Sequence, residues 1–217
     1  MTWGMTFLLL RALGETLVMV CVSGVVGVIG GVPLGVALFV TKPGRFLARP
    51  RLHGLLGAII NAGRSLPFYI LLVAMIPFTR LLTGTSIGVA AAIVPLAVGA
   101  VPFMARMVDG ALLEVPASLI EAGSSLGAPA RSVIWRVLLP EALPGLLHGV
   151  TVMLVTLVNY SAMAGAVGGG GLGDVGNRYG WQRFDPLVMI LVVVILIVLV
   201  QGIQWLGDRL VTAVDRR

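Results

Sequence analysis

Long apolar runs separated by short polar connections dominate the chain. Residues 17–40, 56–76, 87–105, 146–167 and 187–206 hold almost no charge, and each approaches or exceeds the roughly 20 residues a helix needs to cross a hydrocarbon core about 30 Å thick. The runs are continuous, so they predict helices and not the strands of a membrane barrel, which would alternate with a period of two. One segment breaks the pattern: "EAGSSLGAPARSVIWRVLLPEALPG", residues 121–145, is patterned like part of a soluble helical protein. The expected fold is all-α, a single membrane domain over 1–217 with five transmembrane helices and a polar loop at 114–145.

The exceptions within the runs carry information. The first run contains Gly24, Gly27, Gly31 and Gly35, which line one helix face with small residues and let a neighbouring backbone approach closely. Packing inside one subunit is the expected use, a dimer contact the alternative. The second contains "NAGRSLPFY", with Asn61, Arg64 and Ser65 where apolar residues belong. An intramembrane cation marks function unless it is solvated or paired near an end. Arg64 lies near the cytoplasmic start of its run and is expected to snorkel or pair there. Pro67 and Pro77 are expected to kink or end this helix. In the fourth run Thr156, Asn159, Tyr160 and Met163 share one helical face, a stripe that either lines an aqueous path or serves as polar glue between helices. His148 reads as interfacial or packed. "GGGGLG" at 168–173 formally matches a dinucleotide fingerprint, but it follows a membrane span where that motif needs a strand. A flexible external loop is expected there, with a role in an external gate as the alternative.

Composition supports the same class: 58% of residues are hydrophobic, 11% are charged, and the mean hydropathy is +1.05, values of an integral membrane protein. The opening "MTWGMTFLLLRALGETLVMV" lacks a basic leader and a cleavage site, and is expected to be kept as structure. Cys21 is the single cysteine, so no intrachain disulfide is possible and no metal-ligand spacing exists. The net charge of +6 follows topology and not nucleic acid. Lys42, Arg45, Arg49, Arg51, Arg106, Arg131, Arg136, Arg209, Arg216 and Arg217 fall on one side of the predicted spans, and only Arg11, Arg80, Arg178 and Arg183 on the other. The positive-inside bias therefore puts the N-terminus outside and the C-terminus in the cytoplasm. Residues 121–145 then face the cytoplasm, and "DRLVTAVDRR" becomes a basic tail at the inner face.

Much chemistry is missing. The only lysine, Lys42, stands between Thr41 and Pro43 and in no Walker A run, so the chain hydrolyses no ATP alone; no catalytic residue is expected. Asp109, Glu114, Glu121 and Glu141 cluster in the third loop, while Glu15, Asp174, Asp185, Asp208 and Asp215 flank membrane ends. A proton-coupled carrier normally needs a titratable group within the membrane, and a cation channel a filter or a ring of acids. Both are disfavoured.

The cytoplasmic segment predicts two short helices. Pro116 suits a helix start, Gly127 a left-handed cap, and Pro129 a stop followed by a second start. Leu119, Ala122, Gly123 and Leu126 are expected on one face of the first helix, Ser118, Glu121 and Ser125 on another. A helix on a lipid surface usually carries Lys or Arg toward anionic headgroups, and this one has none between Pro116 and Gly127. Docking in a protein groove fits it better.

Glu121, Ala122 and Gly123, followed at fixed spacing by Gly127, Val137, Leu139 and Pro140, resemble the EAA motif of permease subunits of bacterial ABC importers, with glycine for its third residue and valine for isoleucine. "RSLPFYILLVAMIPFTR", "AAIVPLAVGAVPFMARMV", "LLPEALPG" and "YSAMAGAVGGGGLGDVG" make the chain similar to the methionine importers within that family. The resemblance implies a coupling helix with Glu121, Ala122, Gly123, Gly127, Leu139 and Pro140 meeting a cytoplasmic ATPase, and a substrate pathway or gate around Thr156, Asn159, Tyr160, Ser161 and Met163. It implies a homodimer in the bacterial inner membrane with two copies of an ABC ATPase, which hold the ATP and Mg, and an external binding protein, lipoprotein or periplasmic. The runner-up substrates are another amino acid or a small polar solute; the rival class is an ATPase-independent channel or carrier.

Overall fold

The computed structural model describes residues 3–125 and 127–215. Leu126, expected on the packed face of the first cytoplasmic helix, and Arg216 and Arg217 of the basic tail lie outside them. The elements are α1 (Trp3–Val40), α2 (Pro50–Ser65), α3 (Phe68–Ala74), α4 (Ile76–Thr83), α5 (Val89–Leu113), α6 (Ala117–Ser125), α7 (Ala130–Val133), α8 (Leu139–Glu141), α9 (Leu143–Ala164), α10 (Gly171–Val175) and α11 (Pro186–Val214), with π turns at Ile134–Leu138, Gly165–Gly169 and Gly176–Trp181. No strand occurs among the described residues. Four helices, Trp3–Val40, Val89–Leu113, Leu143–Gly169 and Pro186–Val214, are each long and apolar enough to cross a membrane.

Helix ends overrun the apolar runs. α1 starts at Trp3, well before position 17, and α5 continues past 105 to Leu113. Hydropathy marks where the bilayer ends, whereas a helix ends where its backbone hydrogen bonds do. The extra turns of α5 carry Arg106 and Asp109, paired at 3.1 Å. Asp109 thus belongs to a helix and is buried, not part of a loop as its position after the third apolar run suggested. It stands in the last turns of that helix, away from its middle.

The core is the pairing of α1 with α5, the most extensive helix contact in the chain. A Cβ on Gly31 would lie 2.8 Å from the Val101 carbonyl oxygen, one on Gly35 2.5 Å from that of Ala105, and one on Gly27 2.8 Å from Ala100 Cβ. The glycine stripe therefore serves contact inside one subunit. α9 packs against both helices, adding Met153, Leu157 and Val158 to the same core. α11 closes the outer side and leaves Ile190, Ile197 and Val198 exposed, as suits a lipid-facing wall.

The second apolar run is broken. α2 and α3 meet at an angle of 98°, because Pro67 pushes Leu66 into an extended conformation (φ −79°, ψ 127°) and ends the helix. The pieces still traverse the bundle. His53 Nδ1 lies 3.0 Å from the Leu38 carbonyl at the end of α1, while Thr79 and Ser86 share a small cavity with Ala91, Ala92 and Gly169 at the opposite end. This is one broken span, giving five crossings in all.

Candidate coupling surface and translocation path

The polar segment folds onto its own apolar residues. The Leu119 amide donates to the Pro116 carbonyl at 3.1 Å and opens α6. The helix closes with Gly127 at φ +71° and the Ala128 amide donating to the Gly123 carbonyl at 3.2 Å, the Schellman arrangement that a left-handed glycine permits. Pro129 follows, its carbonyl accepting from the Ser132 and Val133 amides at 2.8 and 3.2 Å. Val115, Ile120, Val133, Leu138 and Ala142 join the main core beside Phe39, Val40 and Leu112, so the segment sits where α1 and α5 end.

The packed face of α6 differs from the expected one. Ile120 is buried, and a Cβ on Gly123 would sit 3.6 Å from Val133, whereas Leu119 is 40% exposed and Ala122 is open to solvent. A helix this short rests on one edge, and Ile120 with Gly123 provides it. Glu121 is exposed together with Ser118, Leu119 and Ala122, a small acidic and apolar surface that no other element among the described residues covers. Leu139 is half-buried against the core, and Pro140 is exposed early in α8. Trp135 in the adjacent π turn is 65% exposed, a large apolar side chain beside this surface whose only signal in the sequence is a lone tryptophan in a polar stretch.

α9 divides its residues between two faces. Leu146, Gly149, Met153, Leu157, Val158, Ser161 and Ala164 are buried, while Asn159 and Met163 are exposed and Thr156 and Tyr160 half-buried. The four-residue stripe stays together on the open face. Ser161 does not join it: its Oγ donates to the Val158 carbonyl at 2.7 Å inside the core. Thr156 Oγ1 likewise donates to its own helix, to Val152 at 2.8 Å. Tyr160 stacks on Phe68 with ring centroids 4.4 Å apart and planes within 2°. A cavity of 220 Å³ opens beside this pair, with Gly63, Arg64 and Phe103 among its walls. Phe68 and Arg64 come to this face of α9 only through the break after α2, which local periodicity does not show.

At the opposite end, the glycine run is an ordered hairpin and not a flexible loop. Gly168, Gly170 and Gly171 stand at φ +93°, +81° and +75°, open only to glycine at low cost. The Gly171 amide donates to Glu15 Oε2 and the Leu172 amide to Thr16 Oγ1, each at 2.9 Å. The Gly88 amide donates to the Gly168 carbonyl at 2.8 Å. Arg11 pairs with Glu15 at 3.0 Å and Arg178 with Asp174 at 2.8 Å, framing a cleft of 420 Å³ between α1 and the hairpin.

Residues 9–217 match the family model of the binding-protein-dependent transport system inner membrane component. The chain is 57% identical over 210 residues to the probable D-methionine transport system permease protein MetI of Vibrio cholerae serotype O1, covering 97% of this chain and 93% of that protein. It is 56% identical over 161 residues to the D-methionine transport system permease protein MetI of Escherichia coli (strain K12), 74% of each. A chain of the MetNI methionine ABC transporter, solved in inward-facing conformations, superposes with a TM-score of 0.98 at 55% identity over 100% of both chains. An amino acid ABC transporter shares the fold at a TM-score of 0.79 and 18% identity, over 96% of this chain and 94% of that one. Five crossings, a helical segment at one end with an uncovered acidic face, and a family match over nearly the whole length have one meaning: the chain belongs to the binding-protein-dependent transport system inner membrane components.

Proposed function

We propose that the chain is the permease subunit of an ATP-driven importer that carries methionine, in L and D forms and as close derivatives, across a bacterial inner membrane. The observation that carries this reading is the uncovered face of α6 with Glu121, Leu119 and Ala122 exposed, held by the Gly127 turn at the end of the tightly packed α1–α5 pair. A short helix anchored on one edge and open on the other is a shape that docks in a groove of a partner. The partner is an ABC ATPase, which hydrolyses the ATP; this chain is a transport subunit and no enzyme. Two permeases and two ATPases assemble, an external binding protein delivers the substrate, and the N-terminus lies outside with the C-terminus in the cytoplasm. ATP binding draws the two docked helices together, and the membrane halves rock between inward-open and outward-open states. Glu121, Ala122, Gly123, Gly127, Leu139 and Pro140 transmit the motion, and the open face of α9 with Thr156, Asn159, Tyr160 and Met163 lines the path.

Purification from native membranes in mild detergent, followed by uptake of methionine into proteoliposomes, tests the reading. A stoichiometric ATPase and uptake that requires both ATP and the binding protein are expected. Recovery of the chain alone, under conditions that keep a control permease assembled, would return the channel or carrier. ATP-dependent uptake of a different amino acid would leave the mechanism and change the cargo.

A further inference from the structure

Arg64 is a cation inside an apolar run. It is the next-to-last residue of α2, which begins at Pro50, so it stands about 20 Å along the axis at about 1.5 Å per residue. A Cβ on its neighbour Gly63 would lie 2.9 Å from Cγ of Pro102, and Pro102 sits near the middle of α5. Pro102 lies within the apolar run 87–105, four residues before Arg106, so the side chain stands inside the apolar span, near the turn at which α5 becomes charged. It is exposed, and none of the ion pairs found among the described residues includes it. A guanidinium at that depth is costly unless it meets water or an anion.

The surroundings suggest which anion. Arg64 shares its 220 Å³ cavity with Gly63, Phe68, Gly99, Phe103 and Tyr160. Two glycines leave the wall without side chains, and the parallel rings of Phe68 and Tyr160 offer aromatic faces that suit an apolar or thioether side chain. The guanidinium fork matches a carboxylate in geometry and charge. The break in the helix adds an acceptor: Pro67 has no N–H to give to the Gly63 carbonyl four residues earlier, and this carbonyl lies at the negative end of a helix. A cation and a helix-terminal carbonyl on consecutive residues complement the two charges of an α-amino acid, and broken helices within the membrane are where transporters place such sites.

We propose that Arg64, Gly63, Phe68 and Tyr160 form a stopping site inside the membrane for the transported amino acid, the guanidinium taking its carboxylate, the Gly63 carbonyl its ammonium and the stacked rings its side chain. This rests on the reading of the chain as an amino acid importer. The path is then a passage with a selective station, and discrimination is shared between binding protein and permease.

The test uses the permease–ATPase complex. In nanodiscs without the binding protein, radiolabelled L-methionine is expected to bind saturably and to be displaced by unlabelled methionine, but at least about tenfold less well by methionine methyl ester, which lacks the charge that a guanidinium recognises. In proteoliposomes with saturating binding protein, Arg64→Gln is expected to lower the maximal uptake rate by about tenfold or more, while Arg64→Lys, which keeps the charge but loses the fork, stays within about threefold of the parent. Equal displacement by the ester, or parental uptake by Arg64→Gln, overturns the site while leaving the importer reading intact. Absence of methionine uptake by the parent complex would instead strike at the importer reading. Should Arg64→Gln fail to assemble with its ATPase, the ester competition on the parent complex decides alone.

Discussion

The Gly171 amide donates to the Glu15 carboxylate at 2.9 Å, joining positions 156 residues apart in the chain. With the Thr16 hydroxyl taking the Leu172 amide, α1 ties down the hairpin that ends the fourth span. Removing a charged acceptor from a partly buried amide costs about 1–3 kcal/mol. Glu15→Ala is expected to speed hydrogen exchange across residues 165–176, while Arg11→Ala, which loses an exposed partner of Glu15, changes it much less. Equal protection in Glu15→Ala and parent would show that the hairpin holds itself.

The α1–α5 seam has no room for a methyl group. A Cβ on Gly35 would stand 2.5 Å from both the Ala105 carbonyl oxygen and Val108 Cβ, so Gly35→Ala is expected to cost about 1–3 kcal/mol through overpacking. A Cβ on Gly14 in the same helix meets nothing within 4 Å, and Gly14→Ala is expected to be neutral or stabilising by up to about 1 kcal/mol. Thermal midpoints of the detergent-solubilised complex should rank the two in that order.

Asp109 is 6% exposed and its Oδ1 has no hydrogen-bond partner among the described residues, Arg106 holding the other oxygen at 3.1 Å. Arg106→Ala leaves a buried carboxylate without its cation and is expected to lower stability by about 1–3 kcal/mol. Combining Arg106→Leu with Asp109→Leu should recover most of that loss, because a buried ion pair contributes little over an apolar pair. A double variant no more stable than Arg106→Ala would assign Asp109 a further structural duty.

Gly127 holds φ +71°, a conformation that costs an ordinary residue about 1–2 kcal/mol and that proline cannot adopt. Gly127→Ala is expected to weaken retention of the ATPase modestly, and Gly127→Pro to abolish methionine uptake. A Gly127→Pro complex that assembles and transports at the parental rate would remove the turn from the coupling mechanism.

What was legible in the sequence was local. The apolar runs, the glycine stripe at helical spacing, the left-handed turn at Gly127 and the restart at Pro129 all depend on neighbours within a turn or two, and the structure has each of them. The contacts that shape the open face of α9 and the hairpin end are not local. Phe68 meets Tyr160 and Glu15 meets Gly171 from far apart in the chain, and no periodicity links them. The level that Arg64 reaches follows from where α2 starts, at Pro50 among charged residues, and hydropathy alone sets that start later. The packed edge of α6 was shifted by one residue because Leu119 and Ile120 are equally apolar, and only the position of Val133 separates them.

The absence of side chains between α1 and α5 also limits how the molecule can move. Two rods whose backbones touch at Gly27, Gly31 and Gly35 mesh like toothed racks, and sliding one past the other would drive atoms together at every notch. Within a subunit these two helices must travel as a single strut, and the polar segment rooted at its end moves with it. The second span, by contrast, is jointed, its 98° bend supplying an elbow where the strut has none.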